Sequence, residues 1–250
     1  MSAFTISLIT FAFVFGGALL GMYVVLSENH LREDVKDVVR LSTGLIGTIA
    51  ALVLGLLIAS AKSSYDARNT QVKQITSNVI LLDALLEQYG PDARNLRVAL
   101  RDAVPPMVDR IWNEGDNGKS TTPFVATAEA QAFVKKVQEL KPDNEAKRAL
   151  QARLLSAIAD LSQSRLALFA EAHDSIPMPF VAILIFWLTM IFVSFGLFAR
   201  PNPIVITAFF VGALSISCAI FLILEMDRPF GGFIQISSEP LLHALAPLAP

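Results

Sequence analysis

Four long apolar runs set the pattern of this chain, and a long polar stretch stands between the second and the third. The runs are residues 4 to 26, 41 to 61, 176 to 199 and 203 to 225. Each supplies the roughly 20 residues that carry an α-helix across about 30 Å of hydrocarbon at about 1.5 Å per residue. The pattern predicts four transmembrane helices. The first run lacks a basic flank and a small-residue cleavage site, and it is longer than a secretory signal core, so it reads as a retained helix.

The polar stretch, residues 62 to 175, holds 15 of the 20 Lys and Arg residues, so the charge of the chain is concentrated there. Within it Val72, Ile75, Val79, Leu82 and Leu86 recur at three and four, as do Leu150, Leu154, Ile158, Leu161 and Leu168 with one turn of slack. That is the stripe of helices burying one face against each other. No Gly or Pro lies between Gly55 and Gly90, which predicts that the second span runs on as one helix to Tyr89. Gly90 and Pro91 then turn the chain into a helix ending near Trp112 and kinked at Pro105 and Pro106, which lack amide protons and crowd the preceding turn. Thr122 and Pro123 read as the cap and first residue of a helix over 123 to 140, and a longer helix is expected over 143 to 174. The expected fold class is all-α: four transmembrane helices with a helical bundle inserted between the second and third spans. Its divisions are 1 to 61, 62 to 175, 176 to 228, and a C-terminal connector and tail over 229 to 250.

Composition agrees. The chain is 54% hydrophobic and only 17% charged, where soluble domains carry about a quarter charged residues. A net charge of −2 gives no sign of a nucleic-acid partner. The single cysteine, Cys218, lies in the fourth run and has no intrachain partner, while His30, His173 and His243 are scattered without ligand spacing. "GDNGKST" in the polar loop ends like a phosphate-binding loop, but only two residues rather than four separate Gly115 from Gly118 and no strand precedes them. No grouping of Ser, Cys, His or paired acids suits catalysis. The chain therefore reads as no enzyme, with no cofactor and no metal; its expected partners are membrane lipid, inorganic ions and further copies of itself. Basic residues are balanced between the two membrane faces, so charge bias alone does not orient the chain.

Two stretches stand out as candidate sites. In the second span Gly44, Gly47, Ala51, Gly55 and Ala59 recur at nearly helical spacing, and small residues so placed let helix backbones approach closely. They serve either packing within one chain or association of several copies around an axis. On the second reading Leu45, Thr48, Leu52 and Leu56, one face over, line a narrow apolar pore. The other stretch ends the fourth span at Glu225, Asp227 and Arg228 and breaks on Pro229, Phe230, Gly231 and Gly232. Glu225 and Arg228 are spaced to pair along a helix, Pro229 stops it, and the glycines permit backbone angles closed to other residues. Leu241, Leu242 and Leu245 form a short apolar stripe able to dock the tail.

The segment "EMDRPFGGFIQISSEPLLHAL", 225 to 245, resembles the closing motif of the bestrophin-like family of bacterial membrane proteins, and "GLIGTIAALVLGLLIASAKSSYDARNTQV", 44 to 72, resembles its small-residue span followed by a Tyr-Asp-x-Arg helix start. In true bestrophins a Pro-Phe-Gly segment joins the last span to the intracellular domain. The resemblance implies a homo-oligomeric ion channel, pentameric in those relatives, with the second helix lining the pore. It also implies a bacterial inner-membrane location, with both termini and the bundle cytoplasmic. Animal bestrophins place a run of acids after this motif to clasp calcium, whereas Gly232, Phe233, Ile234 and Gln235 supply no carboxylate, so calcium gating by that route is not expected. The aromatic neck residues of those relatives are absent between 41 and 61. The competing expectation is a membrane sensor or scaffold whose bundle binds a ligand or partner.

Overall fold

The computed structural model of the protein describes residues 2–24, 33–114, 128–171 and 176–244. Among the described residues all regular structure is helical, without strands. The helices are α1 (Ala3–Tyr23), α2 (Glu33–Tyr89), α3 (Arg94–Asp109), α4 (Ala128–Gln138), α5 (Glu145–Glu171), α6 (Met178–Phe198), α7 (Pro203–Met226) and the single turn α8 (Glu239–Leu242). Four of them, α1, α2, α6 and α7, are long and apolar enough to cross a membrane. Two compact units result: Met1–Ser63 with Ser175–Asp227, and Ser64–Asp174 with Arg228–Pro250. The N-terminal part of α2 belongs to the first and its C-terminal part to the second.

In the apolar unit α1 packs against α6 and α7. Small residues set the approach of α1 to α6. A Cβ at Gly196 would run into the carbonyl oxygen of Ala18, and one at Gly21 into the carbonyl oxygen of Val193, so these backbones are nearly in contact. Such proximity is how helices gain dispersion energy in lipid, where apolar burial itself gives little. Between α1 and α7 the Phe210 ring meets Phe11 and Phe15 edge-on at 5.4 and 5.7 Å, and the Ser217 hydroxyl donates to the Ser7 carbonyl at 3.0 Å. As expected, α7 starts at Asn202, whose side chain accepts from the Ile204 N–H at 2.9 Å, with Pro203 at the first helical position.

The bundle unit is built around the stripe read from the sequence. Val72, Ile75, Val79, Leu82 and Leu86 of α2 are buried with Leu96, Leu100, Val104 and Val108 of α3, Val137 of α4 and Leu154 and Leu168 of α5. Gly90, at φ 100°, and a 3-10 turn over Pro91–Ala93 reverse the chain between α2 and α3. Pro105 and Pro106 lie inside α3, which passes into one π turn at Arg110–Glu114. The expected cap at Thr122 and Pro123 and the "GDNGKST" loop lie outside the described residues.

Polar groups in the bundle are paired closely. Asp83, fully buried, accepts two hydrogen bonds from Arg97, each of 2.9 Å, and Arg97 also reaches Glu87 at 3.3 Å. Hydrogen bonding to Asp83 raises the pKa of the Arg97 guanidinium. Lys147 of α5 bonds Asp92 at 2.9 Å and Asp143 at 3.1 Å, and the first of these bonds is the main reason its pKa lies above the usual lysine value. Gln151 donates through Nε2 to the carbonyls of Val137, Gln138 and Leu140, satisfying groups that the end of α4 leaves open.

Candidate functional site

Two regions carry the site residues read from the sequence: the apolar half of α2 and the connector after α7. On α2 the side that meets the rest of its unit is narrow, with Ala50, Thr43 and Ala61 buried. At about 100° per residue these three lie together on one side of the helix. Leu45, Thr48, Leu52 and Leu56 fall on the opposite side and form one continuous row. The three leucines are 65%, 70% and 70% exposed, and the Thr48 hydroxyl is occupied by the Gly44 carbonyl at 3.0 Å.

The small residues of α2 flank this row. A Cβ at Gly44 or Gly55 would meet nothing within 4 Å, and one at Gly47 would touch only the Ile191 Cδ1 at 3.9 Å. Ala51 is exposed as well. Among the described residues, nothing therefore packs within 4 Å on a Cβ at Gly44 or Gly55. The glycines pressed hardest against another helix's backbone among the described residues, Gly21 and Gly196, belong to α1 and α6 instead. Sequence reasoning missed them because the same small-residue signal occurs in several spans, and the contact depends on which helices become neighbours.

The connector divides at the boundary between the units. Glu225 and Asp227 stay with the apolar unit, Glu225 only 4% exposed. The Asp227 carboxylate accepts the Ile176 N–H at 3.2 Å, tying the end of α7 to the residue that precedes Pro177 and α6. Its own N–H still bonds back to the Ile223 carbonyl at 3.2 Å, so α7 stops at Met226 with Asp227 as its cap. Pro229 acts one residue ahead of itself, because its ring disfavours helical angles at Arg228.

From Arg228 onward the chain is built into the bundle. The Ile236 N–H donates to the Pro229 carbonyl at 2.7 Å and the Gly231 N–H to the Arg228 carbonyl at 3.2 Å, closing a compact loop. Only Gly232, at φ 87°, uses the backbone freedom of glycine; Gly231 does not. Residues 233 to 237 are bent chain that sends Ile236 into the core and leaves Phe233 exposed. Phe230 packs on that core, its ring 5.4 Å from Trp112 and nearly perpendicular to it. Trp112 Nε1 donates to the Ile236 carbonyl at 2.8 Å. Leu241 of α8 is fully buried in the same core, while Leu242 is exposed and Leu245 lies outside the described residues. Trp112 was legible only as the end of an amphipathic helix; its nearest signal is an aromatic continuing the stripe of Val104, Val108 and Ile111.

Among the described residues no three His, Cys, Asp or Glu side chains come together to hold a metal ion. The geometry offers instead an exposed apolar row along a long helix and a connector held by the Phe230–Trp112 pair and by hydrogen bonds at Asp227, Arg228, Pro229 and Ile236.

The fold is similar to that of a bacterial bestrophin homologue from Klebsiella pneumoniae in two crystal structures of point mutants. One gives a TM-score of 0.70 at 13% identity over 98% of each chain, the other 0.64 at 12% identity over 95% of each. No curated protein matches the sequence. The bestrophin-like domain, by contrast, matches residues 10–241. With that match running from the first span to α8, the chain belongs to the bestrophin-like family.

Proposed function

We propose that this chain is one subunit of an oligomeric membrane ion channel whose pore is lined by α2. The observation that carries the reading is the row Leu45, Thr48, Leu52 and Leu56. It lies opposite the side on which α2 packs in its own chain, and Gly44 and Gly55, on which nothing packs among the described residues, flank it. Copies arranged about an axis would bring these rows together and let Gly44, Ala51 and Gly55 seat neighbouring helices closely. A ring of Leu side chains then sets the width of the conduit, and its gating involves dewetting of that apolar constriction. Membership of the bestrophin-like family and the fold shared with a bacterial bestrophin homologue support this role.

By the same family resemblance the protein sits in a bacterial inner membrane, with the bundle unit and both termini cytoplasmic, and assembles as a pentamer. Single cysteines introduced at Arg148 and at Arg200, in a Cys218→Ser background, would test the orientation. Labelling of Arg200→Cys by an impermeant maleimide on intact spheroplasts, with Arg148→Cys protected, is the expected result.

Current across a planar bilayer containing the purified protein, in asymmetric potassium chloride, tests the channel. Unitary currents altered by Leu52→Ala and Thr48→Trp are expected, and the reversal potential gives the sign of the permeant ion. Silence from an intact oligomer would overturn the channel and leave the bundle as a sensor or scaffold.

A further inference from the structure

α2 is one helix from Glu33 to Tyr89, and eighteen residues make about five whole turns of an α-helix. Along it the positions of Leu45, Thr48, Leu52 and Leu56 are therefore repeated on the same side by Ser63, Asp66, Thr70 and Gln74, and again by Leu81, Ala84 and Gln88. Every one of these residues is exposed. Among them Asp66 is the one ionisable group.

The nearby cations of α2 fall on other sides. Lys62 and Lys73 repeat the positions of Gly44 and Gly55, which flank the row, and Arg68 is buried. The leucines set a width and bring no charge. Thr48 and Thr70 turn their hydroxyls onto the Gly44 carbonyl and the Asp66 backbone carbonyl, at 3.0 and 2.8 Å. Asp66 also interacts within its own chain. A carboxylate drawn toward a flanking lysine still stands nearer to the centre of the row than the lysine does, and the nearer charge dominates because the interaction falls with distance.

We propose that Asp66 is the charge filter of the conduit. Copies of α2 about an axis bring their Asp66 carboxylates into a ring beyond the leucines, and such a ring admits small inorganic cations and repels anions. This rests on the channel reading and adds to it the sign of the permeant ion and the residue that selects it.

Reversal potentials in planar bilayers under asymmetric potassium chloride test this. The wild type should prefer potassium over chloride. Asp66→Asn should lower that permeability ratio about tenfold, the scale on which a ring of charge concentrates counter-ions. Asp66→Glu should keep the ratio and Asp66→Lys should invert it. Asp160→Asn, which removes the same charge from an exposed position on α5, should leave it unchanged. Raising the salt should shrink the difference between wild type and Asp66→Asn, because the carboxylates are then screened. Size exclusion identifies any variant that fails to assemble, and those that assemble decide. A wild type that prefers chloride, an unchanged ratio in Asp66→Asn, or an equal loss in Asp160→Asn would each overturn the filter and leave the channel standing. Silence from the intact wild-type oligomer would overturn the channel, and the filter with it.

Discussion

Trp112 Nε1 donates to the carbonyl oxygen of Ile236 at 2.8 Å, a bond that closes 124 residues of sequence within the bundle unit. The Phe230 ring rests edge-on against the same indole, so one side chain holds both ends of the connector loop. Trp112→Phe keeps an aromatic ring for Phe230 and removes the hydrogen bond, and it should cost about 1 kcal/mol. Trp112→Ala removes both and should cost about 3 kcal/mol. Limited proteolysis checks the assignment: cleavage between 231 and 238 should be fastest in Trp112→Ala, slower in Trp112→Phe and slowest in the wild type. Equal cleavage in all three would show that the loop is held by other contacts.

The approach of α1 to α6 makes a second prediction, because its tolerance differs sharply between neighbouring glycines. A Cβ at Gly196 would meet the Ala18 carbonyl, whereas one at Gly16 would meet nothing within 4 Å. Gly196→Ala must push two backbones apart and should cost about 2 kcal/mol, the range of an overpacked interior. Gly16→Ala should be neutral or slightly stabilising, since alanine is the better helix former. Thermal unfolding in a fixed detergent compares the two directly.

Asp83 is fully buried and Glu87 is 58% exposed, yet both meet Arg97. Breaking a buried pair from one side leaves the partner charge poorly compensated, so Asp83→Ala should cost about 3 kcal/mol. Glu87→Ala removes only a solvated contact and should cost under about 1 kcal/mol. Denaturation of the two variants by urea under identical conditions gives the difference.

How much of this was legible in the sequence depends on the range over which each feature is encoded. The stripe from Val72 to Leu86 is a local period of three and four, and its burial follows directly. The start of α7 at Asn202 and Pro203 is also local, a cap and a ring within two residues. The bond from Trp112 to Ile236 has no periodic trace, because a single donor and a carbonyl far along the chain leave no pattern. Gly231 and Gly232 look equivalent in sequence; only the loop closed by Ile236 and Pro229 shows that Gly232 alone takes positive φ. The small residues of α2 stand out in the sequence, yet among the described residues a Cβ at Gly44 or Gly55 meets nothing, whereas Gly21 and Gly196 of α1 and α6, which do not stand out, govern the packing. Composition tells that helices will meet closely but not which ones.

That same contrast separates folding from assembly on α2. Because a Cβ at Gly44 or Gly55 meets nothing within 4 Å among the described residues, a larger side chain there has no reason to disturb the fold of one subunit. If neighbouring copies seat against these positions, Gly44→Leu and Gly55→Leu must force the helices apart. The double variant should therefore keep the wild-type circular dichroism and thermal midpoint of the chain while losing the oligomer on size exclusion with light scattering, and with it any current. Leu52→Ala, in the exposed row, should do the reverse: assembly intact, conductance raised by a wider constriction. A double glycine variant that still assembles would place the interface on another helix, and α2 would then face lipid along this side.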